Sequence, residues 1–207
     1  MFKNREEAGE KLANFLFNKL EKKEDAVVVS LLRGGVIVGD EIAKKLKLPH
    51  LGLPVAKIGA PDNEELAVGA MVYQVKFYNP QAATLYDKEA LFQTEIRAKK
   101  KFVDYCRIFN IKESDFNCLK QKIVILTDDG AATGSSLKAA ALFLKKKKVK
   151  KIILALPVAP TDFDNSFYDE VYILNQDPYL SAVSQSYQDF SQVDEDTVKK
   201  ILTKKKN

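Results

Sequence analysis

Short runs of apolar, often β-branched residues recur along the chain and predict buried strands. A run without polar alternation is typical of a strand that is covered on both faces, as in a parallel sheet. A further apolar stretch at 51–58 and a strand pattern at 67–75 flank a polar turn at 59–65. The runs that fit a fully buried strand lie at 26–31, 122–127, 151–158 and 171–174.

Stretches with helical spacing lie between these runs. Apolar residues recur there every three or four positions, which predicts amphipathic helices. In the longest stretch the predicted apolar side consists of Leu85, Phe92, Ile96, Val103 and Cys106. The four helical stretches are 6–20, 36–46, 81–109 and 135–146. The alternation of strand and helix predicts an α/β fold with right-handed connections, in which helices flank a parallel sheet core.

Length and composition fit one domain, and its modest basic charge would equally suit small polyanionic substrates. With 207 residues and 46% hydrophobic content, the chain can bury one sizeable core. The net charge of +5 comes largely from lysine runs such as 145–148 and 204–206, at a predicted helix end and at the end of the chain. Lysines in such places face solvent. Because no aromatic residues interleave with these runs, we predict no nucleic-acid partner.

Neither a membrane segment nor a disulfide framework is predicted. No apolar run approaches the roughly 18 residues that cross a bilayer, and residues 1–7 lack the apolar segment of a secretory signal. We therefore expect a cytoplasmic protein without a membrane partner. Cys106 and Cys118 have no CxxC spacing, so both are predicted to be reduced thiols rather than metal ligands.

The segment from Asp128 to Ser136 carries the most specific chemistry in the sequence. It follows the buried run 122–127, and ligands of open parallel sheets bind outside the carboxyl ends of the strands. Asp128 and Asp129 are acceptors suited to vicinal sugar hydroxyls or, through water, to a hydrated divalent metal ion. Small and hydroxyl-bearing residues then lead into a helix whose first N–H groups favour phosphate. Acceptors at one end and donors at the other match a ribose 5-phosphate.

Competing motifs are weaker. The sequence contains no G-x-x-x-x-G-K-[ST] phosphate loop and no G-x-G-x-x-G dinucleotide turn. A simple turn with a capping hydroxyl at Ser135 would explain the start of the helix but not the two preceding acids. The lone histidine, His50, has no visible acidic or cysteine partner and is interpreted as structural.

Residues 123–136 resemble the phosphoribosyl-pyrophosphate signature of type I phosphoribosyltransferases. The shared pattern is an apolar strand, two acids, a few small residues, and then Thr-Gly with a hydroxyl residue. The resemblance implies the parallel core of that family with a smaller hood, and it implies that Asp128 and Asp129 hold the ribose hydroxyls. The residues implied to hold the 5′-phosphate are Gly130, Ala131, Ala132, Thr133, Gly134, Ser135 and Ser136.

The resemblance covers most of the chain and extends to bacterial and archaeal proteins described as predicted phosphoribosyltransferases. In such proteins the turn after the first strand is the pyrophosphate loop, here Arg33-Gly34-Gly35, where glycines free the backbone and Arg33 supplies charge. Lys57 precedes a loop that could fold over the pyrophosphate, although a solvated lysine is the alternative. Arg33 and Lys57 are the predicted catalytic cations. Many relatives have an arginine before this lysine; here the position is Ala56, so one positive group is missing.

The acceptor is not identified by the sequence. Enzymes of this family that act on 6-oxopurines have an aspartate just before the Thr-Gly pair, whereas this chain has Ala132. Adenine and uracil enzymes tolerate alanine there, so a 6-oxopurine acceptor is disfavoured. A general base would come from elsewhere, with Glu64, Glu65 and Glu95 as candidates that spacing does not separate.

The resemblance divides residues 1–207 into a core and a hood that holds the acceptor. Tyr187 and Phe190 could stack on a planar base or pack within the hood. Dimers are common among relatives, so a homodimer is one expectation. The core is placed at about 21–75 and 119–175, and the hood at about 1–20, 76–118 and 176–207.

The leading functional hypothesis is a Mg²⁺-dependent phosphoribosyltransferase. It would bind 5-phosphoribosyl-1-pyrophosphate (PRPP) and transfer the phosphoribosyl group to a small nitrogen acceptor, with release of pyrophosphate. Two alternatives remain open. One is a sensor that binds PRPP or a nucleotide without catalysis, and the other is a hydrolase of phosphorylated sugars.

Overall fold

The computed structural model describes residues 1–20, 25–64 and 66–203. Three parts of the sequence predictions lie outside the described residues. They are the candidate base Glu65, the first residues of the proposed core at 21–24, and the lysine run 204–206. The strands are β1 (Ala26–Leu31), β2 (His50–Leu53), β3 (Ala56–Gly59), β4 (Ala67–Val72), β5 (Val75–Tyr78), β6 (Ile123–Thr127), β7 (Lys151–Ala159) and β8 (Glu170–Gln176). The α-helices are α1 (Arg5–Lys19), α2 (Gly35–Leu46), α3 (Pro80–Ala83), α4 (Lys88–Ile108), α5 (Ser135–Lys146) and α6 (Glu195–Thr203).

A five-stranded parallel sheet with the order β2-β1-β6-β7-β8 forms the centre of the fold. The predicted α/β fold, with helices on a parallel core, is confirmed. β1 and β6 are neighbours, in a register that pairs Val29 with Leu126. Because parallel neighbours end at the same edge, the loops that follow β1 and β6 lie side by side.

The continuous apolar runs arise because both faces of this sheet are covered. Val28 packs with Leu12 and Ile42 of α1 and α2 on one face. Val27 and Val29 point the other way, into a cluster that includes side chains of α4, α5 and β4. Alternate residues of one strand thus enter two different cores. The helix α1, which was assigned to the hood, packs against α2 and the sheet.

A second, antiparallel sheet with the order β3-β4-β5 departs from the prediction of parallel strands. The stretch 51–58 divides at Pro54: β2 joins the central sheet and β3 joins the second one. The stretch 67–75 is not one strand, because the chain reverses after Val72 and Tyr73 adopts a left-handed φ of 51°. The ring of Tyr73 packs between Phe102 and Phe143, which fixes this turn by tertiary contacts.

The predicted apolar side of the longest helical stretch is wrong except at Cys106, which is partly buried against the main core. The stretch divides into α3 and α4, and Leu85 in the connection between them is exposed. Phe92, Ile96 and Val103 also lie on the exposed side of α4. The buried residues of α4 are Thr94, Ala98 and Phe102. The larger apolar residues were given too much weight, and the small Ala98 and Thr94 face the core because they allow close packing. No helix within the described ranges is long and apolar enough to cross a membrane.

Candidate functional site

A cleft of about 730 Å³ opens where the carboxyl ends of β1 and β6 meet. Residues from several parts of the chain line it, and they include the turn after β1, β3, helix α4, the loop after β6, Arg5, residues 181–184 and Phe190. The predicted site residues that line the cleft are Arg33, Gly34, Lys57 and all of Asp128, Asp129, Gly130, Ala131, Ala132, Thr133, Gly134, Ser135 and Ser136. Gly35 lies directly behind Asp128.

The loop after β6 is shaped by two glycines with positive φ. Gly130 has a φ of 156° and Gly134 a φ of 70°, which side chains with a Cβ adopt at a cost. Gly134 precedes α5, and the first helical hydrogen bond runs from the N–H of Lys138 to its carbonyl, at 2.9 Å. The N–H groups of residues 135–137 therefore have no partner within the helix and lie beside the cleft. This arrangement offers donors to an anion.

The two acids are packed against the glycines of the neighbouring turn. A Cβ on Gly34 would lie 2.0 Å from Oδ2 of Asp129, and one on Gly35 would lie 2.6 Å from Oδ1 of Asp128. Oδ1 of Asp128 also accepts a hydrogen bond of 2.9 Å from the backbone N–H of Asp129. Gly34 and Gly35 were predicted to bend toward pyrophosphate, and that stays a prediction. The structure shows that both glycines make room for the two carboxylates.

Arg5 was missed by the sequence analysis. Its Nε donates to Oδ2 of Asp129 at 2.7 Å, and its Nη1 donates to the carbonyl of Ser191 at 2.8 Å. The guanidinium lies 3.8 Å above the ring centroid of Phe190. An arginine in the first turn of a helix opposes the helix dipole, but the predicted helix began at residue 6, so no local signal marked Arg5 as needing a partner. The residue that supplies this partner is 124 positions away.

The electrostatic environments of the two acids differ. Burial raises the pKa of the Asp128 carboxyl well above its ordinary value, and the charge of Asp129 raises it further. Burial also raises the pKa of Asp129, but the Arg5 guanidinium opposes that rise. The charge of Lys57 lowers the pKa of both groups, so this lysine is within electrostatic reach of the pair.

The C-terminal aromatic residues mainly pack. Tyr187 is buried, its ring lies 5.5 Å from that of Phe2 and 5.1 Å from that of Phe190, and its hydroxyl donates to the Asp129 carbonyl at 2.5 Å. Burial raises the pKa of this hydroxyl. The packing interpretation therefore holds for Tyr187, whereas Phe190 lines the cleft with Arg5 on one face.

Three more charged side chains line the cleft: Glu64, Arg97 and Lys101. The two cations were not among the predicted site residues. Arg97 and Lys101 of α4 line the cleft, and Glu64 lies between them, 3.1 Å from Nε of Arg97 and 3.5 Å from Nζ of Lys101. Glu95 instead binds Lys76 and Tyr78 and does not line the cleft. Spacing had not separated these two glutamates as candidate bases.

His50 and the alanine before Lys57 are buried. Nε2 of His50 lies 2.7 Å from the Ser30 hydroxyl inside the core, away from the residues that line the cleft. The structural interpretation of His50 is thus supported. Ala56 is 4% exposed and belongs to the main core cluster.

The acids fit a magnesium ion that is shared with a ligand. Within the described ranges, no three His, Cys, Asp or Glu side chains are grouped so that they could hold a metal ion. Two neighbouring carboxylates at the cleft are sufficient for Mg²⁺, which keeps several waters and takes its remaining ligands from substrate phosphates.

Comparison with known families gives one match over most of the chain. The model of the phosphoribosyl transferase domain matches residues 2–170. Two curated Mycobacterium tuberculosis proteins, from strains CDC 1551 / Oshkosh and ATCC 25618 / H37Rv, are named as candidate phosphoribosyl transferases and are 32% identical over 98% of this chain. The alignment covers 46% of each relative, so the chain spans about half of their length.

Solved structures agree on the fold. The crystal structure of TT1426 from Thermus thermophilus has a TM-score of 0.75 and 31% identity, and the match covers 99% of this chain and 98% of that one. A hypothetical protein from Neisseria gonorrhoeae, solved with bound ppGpp, has a TM-score of 0.51 and 13% identity, with the same two coverages. The second likeness shows the fold alone.

Proposed function

The chain belongs to the phosphoribosyl transferase family, and from this premise we propose that it binds PRPP with Mg²⁺ in the cleft and transfers the phosphoribosyl group to a nitrogen acceptor, releasing pyrophosphate. The observation that carries the proposal is the meeting of three kinds of group in one cleft. Phosphate donors at 130–136, the acids Asp128 and Asp129, and the cations Arg33 and Lys57 all line it.

Each group has a part in binding. The 5′-phosphate lies at the start of α5, where N–H groups without a helical partner and the hydroxyls of Thr133 and Ser135 face it. The ribose hydroxyls donate to Asp128 and Asp129. The pyrophosphate lies towards the turn after β1, where Arg33 supplies positive charge. Mg²⁺ would be held beside the two acids and would offset the charge of the diphosphate.

The transfer needs one bond broken and one formed at the anomeric carbon. The bond to the pyrophosphate oxygen breaks and its electron pair leaves with the oxygen, while the lone pair of the acceptor nitrogen forms the new bond. Arg33 and Lys57 stabilise the charge that grows on the leaving group. Asp128 and Asp129 face the ribose as it gains positive charge. The acceptor nitrogen loses its proton to solvent water after attack.

A PRPP sensor without catalysis is the second candidate. The ion pairs of Glu64 and the position of Glu95 favour it. Glu64 is paired with two cations and Glu95 lies outside the cleft, so neither is placed as a base in this state of the protein. A 6-oxopurine acceptor stays disfavoured in our proposal, because Ala132 lines the cleft at the position that resembles the family's aspartate.

Calorimetry with PRPP and Mg²⁺ tests the binding step. We expect Asp128→Asn and Asp129→Asn each to weaken binding at least about a hundredfold, because charge-assisted hydrogen bonds to the ribose are lost. Asp162→Asn, at an exposed acid away from the cleft, is the matched control. Undiminished binding by the two cleft variants would overturn the proposed site.

Pyrophosphate release separates the candidate activities. Purified protein is incubated with PRPP, Mg²⁺ and a panel of nucleobases and other nitrogen acceptors. Release that depends on one acceptor supports transfer, and release without any acceptor supports hydrolysis. Saturable binding with no release under any condition supports the sensor.

A further inference from the structure

Helix α4 presents two cations to the cleft from one side. Arg97 and Lys101 are four residues apart, so they lie one turn from each other on the same face. Both line the cleft together with Ala98, which is itself buried. α4 packs against β3, the strand that carries Lys57. The helix therefore adds positive charge to the same end of the cleft.

A carboxylate of the chain already bridges these two cations. Oε1 of Glu64 lies 3.1 Å from Nε of Arg97, and Oε2 lies 3.5 Å from Nζ of Lys101. One planar anion thus meets two cations with its two oxygens. The three side chains are 46 to 67% exposed, and ion pairs this exposed contribute little to stability. An anion with more charge could displace Glu64 at small cost.

The other cations at this end of the cleft are not compensated in the same way. Arg33 and Lys57 make no ion pair within 4.0 Å to any residue that the structure describes. The arginine that many relatives have before the lysine is replaced by Ala56, whose side chain is in the core. A diphosphate that enters here meets two cations from the turn and strand, and its outer oxygens need further donors.

We propose that Arg97 and Lys101 form the outer part of the pyrophosphate subsite, and that Glu64 fills it until the diphosphate displaces its carboxylate. This inference rests on the proposed function. Helix α4 then supplies the charge that the strand lacks at Ala56. The Glu64 carboxylate is held to α4 in the absence of ligand and is released from it when the diphosphate binds.

The test compares three ligands on single variants. Affinities for Mg²⁺-pyrophosphate, Mg²⁺-PRPP and ribose 5-phosphate are measured by calorimetry. We expect Arg97→Ala and Lys101→Ala each to weaken the first two by about tenfold and to leave ribose 5-phosphate unchanged, because only the diphosphate reaches α4. Glu64→Gln is expected to strengthen pyrophosphate binding by about threefold, because a competing charge is removed.

The controls separate a binding role from general effects. Lys99→Ala removes one exposed lysine from a different face of α4, outside the cleft, and should change every affinity by less than about twofold. Opposite signs for Glu64→Gln and Arg97→Ala cannot come from partial unfolding, which weakens binding in both.

Each negative result has one meaning. If PRPP binds but Arg97→Ala and Lys101→Ala behave like Lys99→Ala towards pyrophosphate, the inference is wrong and the proposed function stands. If these variants instead raise only the KM for an acidic acceptor, the pair serves the acceptor and the inference is also wrong. If the unmodified protein binds neither PRPP nor pyrophosphate, the proposed function fails and the inference fails with it.

Discussion

The two strand–loop–helix units that meet at the cleft share their order of elements but differ in their loops. β1 leads to α2 through residues 32–34, and β6 leads to α5 through residues 128–134. The first connection is short, and its Gly34 keeps a right-handed conformation directly before the helix. The second is longer and needs left-handed or extended glycine geometry at Gly130 and Gly134. Neighbouring strands of one sheet thus end in loops of different length and backbone conformation.

In the proposed function, this difference lets one cleft hold both ends of PRPP. The longer loop wraps around a space and offers its N–H groups, while the shorter turn has no room to wrap. Gly34 and Gly35 instead lie against Asp129 and Asp128 and fix where those carboxylates stand. The second unit supplies the acids, and the first unit makes their positions possible.

The largest effect is expected from Arg5, which joins the second unit to both ends of the chain. Arg5→Ala should lower the free energy of unfolding by about 3 kcal/mol, because it leaves the buried Asp129 without its cation. The stacking on Phe190 and the bond to the Ser191 carbonyl are lost as well. Urea denaturation measures the change.

Two variants sharpen the Arg5 result. Arg5→Lys keeps the charge without the planar fork and should restore only part of the loss. Lys11→Ala breaks an exposed ion pair with Glu7 on the same helix and should cost less than about 0.5 kcal/mol. Equal effects of Arg5→Ala and Lys11→Ala would show that the Asp129 contact contributes nothing particular.

The next effect compares the first residues of the two helices, Gly35 and Ser135. Gly35→Ala should destabilise the protein by about 2 kcal/mol, because its Cβ would lie 2.9 Å from the Asp128 Cα, a backbone atom that cannot easily move. It should also weaken PRPP binding by displacing Asp128. Ser135→Ala, at the corresponding position of α5, should cost less than about 1 kcal/mol. Similar losses for both would mean that the turn after β1 is not crowded by the acids.

A smaller effect is expected where only backbone conformation is at issue. Gly134→Ala forces a residue with a Cβ into a φ of 70°, at a cost of about 1 to 2 kcal/mol. The nearest obstacle, 2.8 Å from the new Cβ, is the ring of Phe163, a side chain that can shift. Affinity for ribose 5-phosphate should fall more than affinity for pyrophosphate. An equal fall in affinity for both ligands would contradict the proposal that the loop after β6 binds the 5′-phosphate and the turn after β1 binds the pyrophosphate.

Sequence patterns predicted what depends on neighbours along the chain. The buried strands and the segment from Asp128 to Ser136 were predicted because each is recognised from one continuous stretch of sequence. The pairing of Arg5 with Asp129 was not, because it joins residues 124 positions apart. No local pattern marks either member of such a pair.

Helix α4 shows a second reason for failure. Its larger apolar residues, such as Phe92 and Ile96, form the exposed side, and the face that packs contains Thr94 and Ala98. Hydrophobic periodicity assumes that the largest apolar residues are buried, but the packed face of α4 combines one large ring, Phe102, with the small Thr94 and Ala98. The same error hid Arg97 and Lys101, since the cleft side of a helix is known only once its packed side is known.

The smallest predicted effect has the opposite sign and separates the two acids. Asp128→Asn should stabilise the ligand-free protein by about 1 kcal/mol at neutral pH, because it removes a buried charge beside Asp129. The pKa of Asp128 is raised in the folded state, so the stability that this group contributes is complete below its ordinary pKa of 3.8 and is lost as pH rises through the raised value. Asparagine does not titrate, so the difference in stability between variant and parent should appear above about pH 4 and persist at neutral pH.

Asp129→Asn should instead destabilise the protein, because it weakens the partner of Arg5. Thermal unfolding between pH 4 and 8 decides the matter, with Asp162→Asn as control; equal signs for the two variants would show that the acids share one environment.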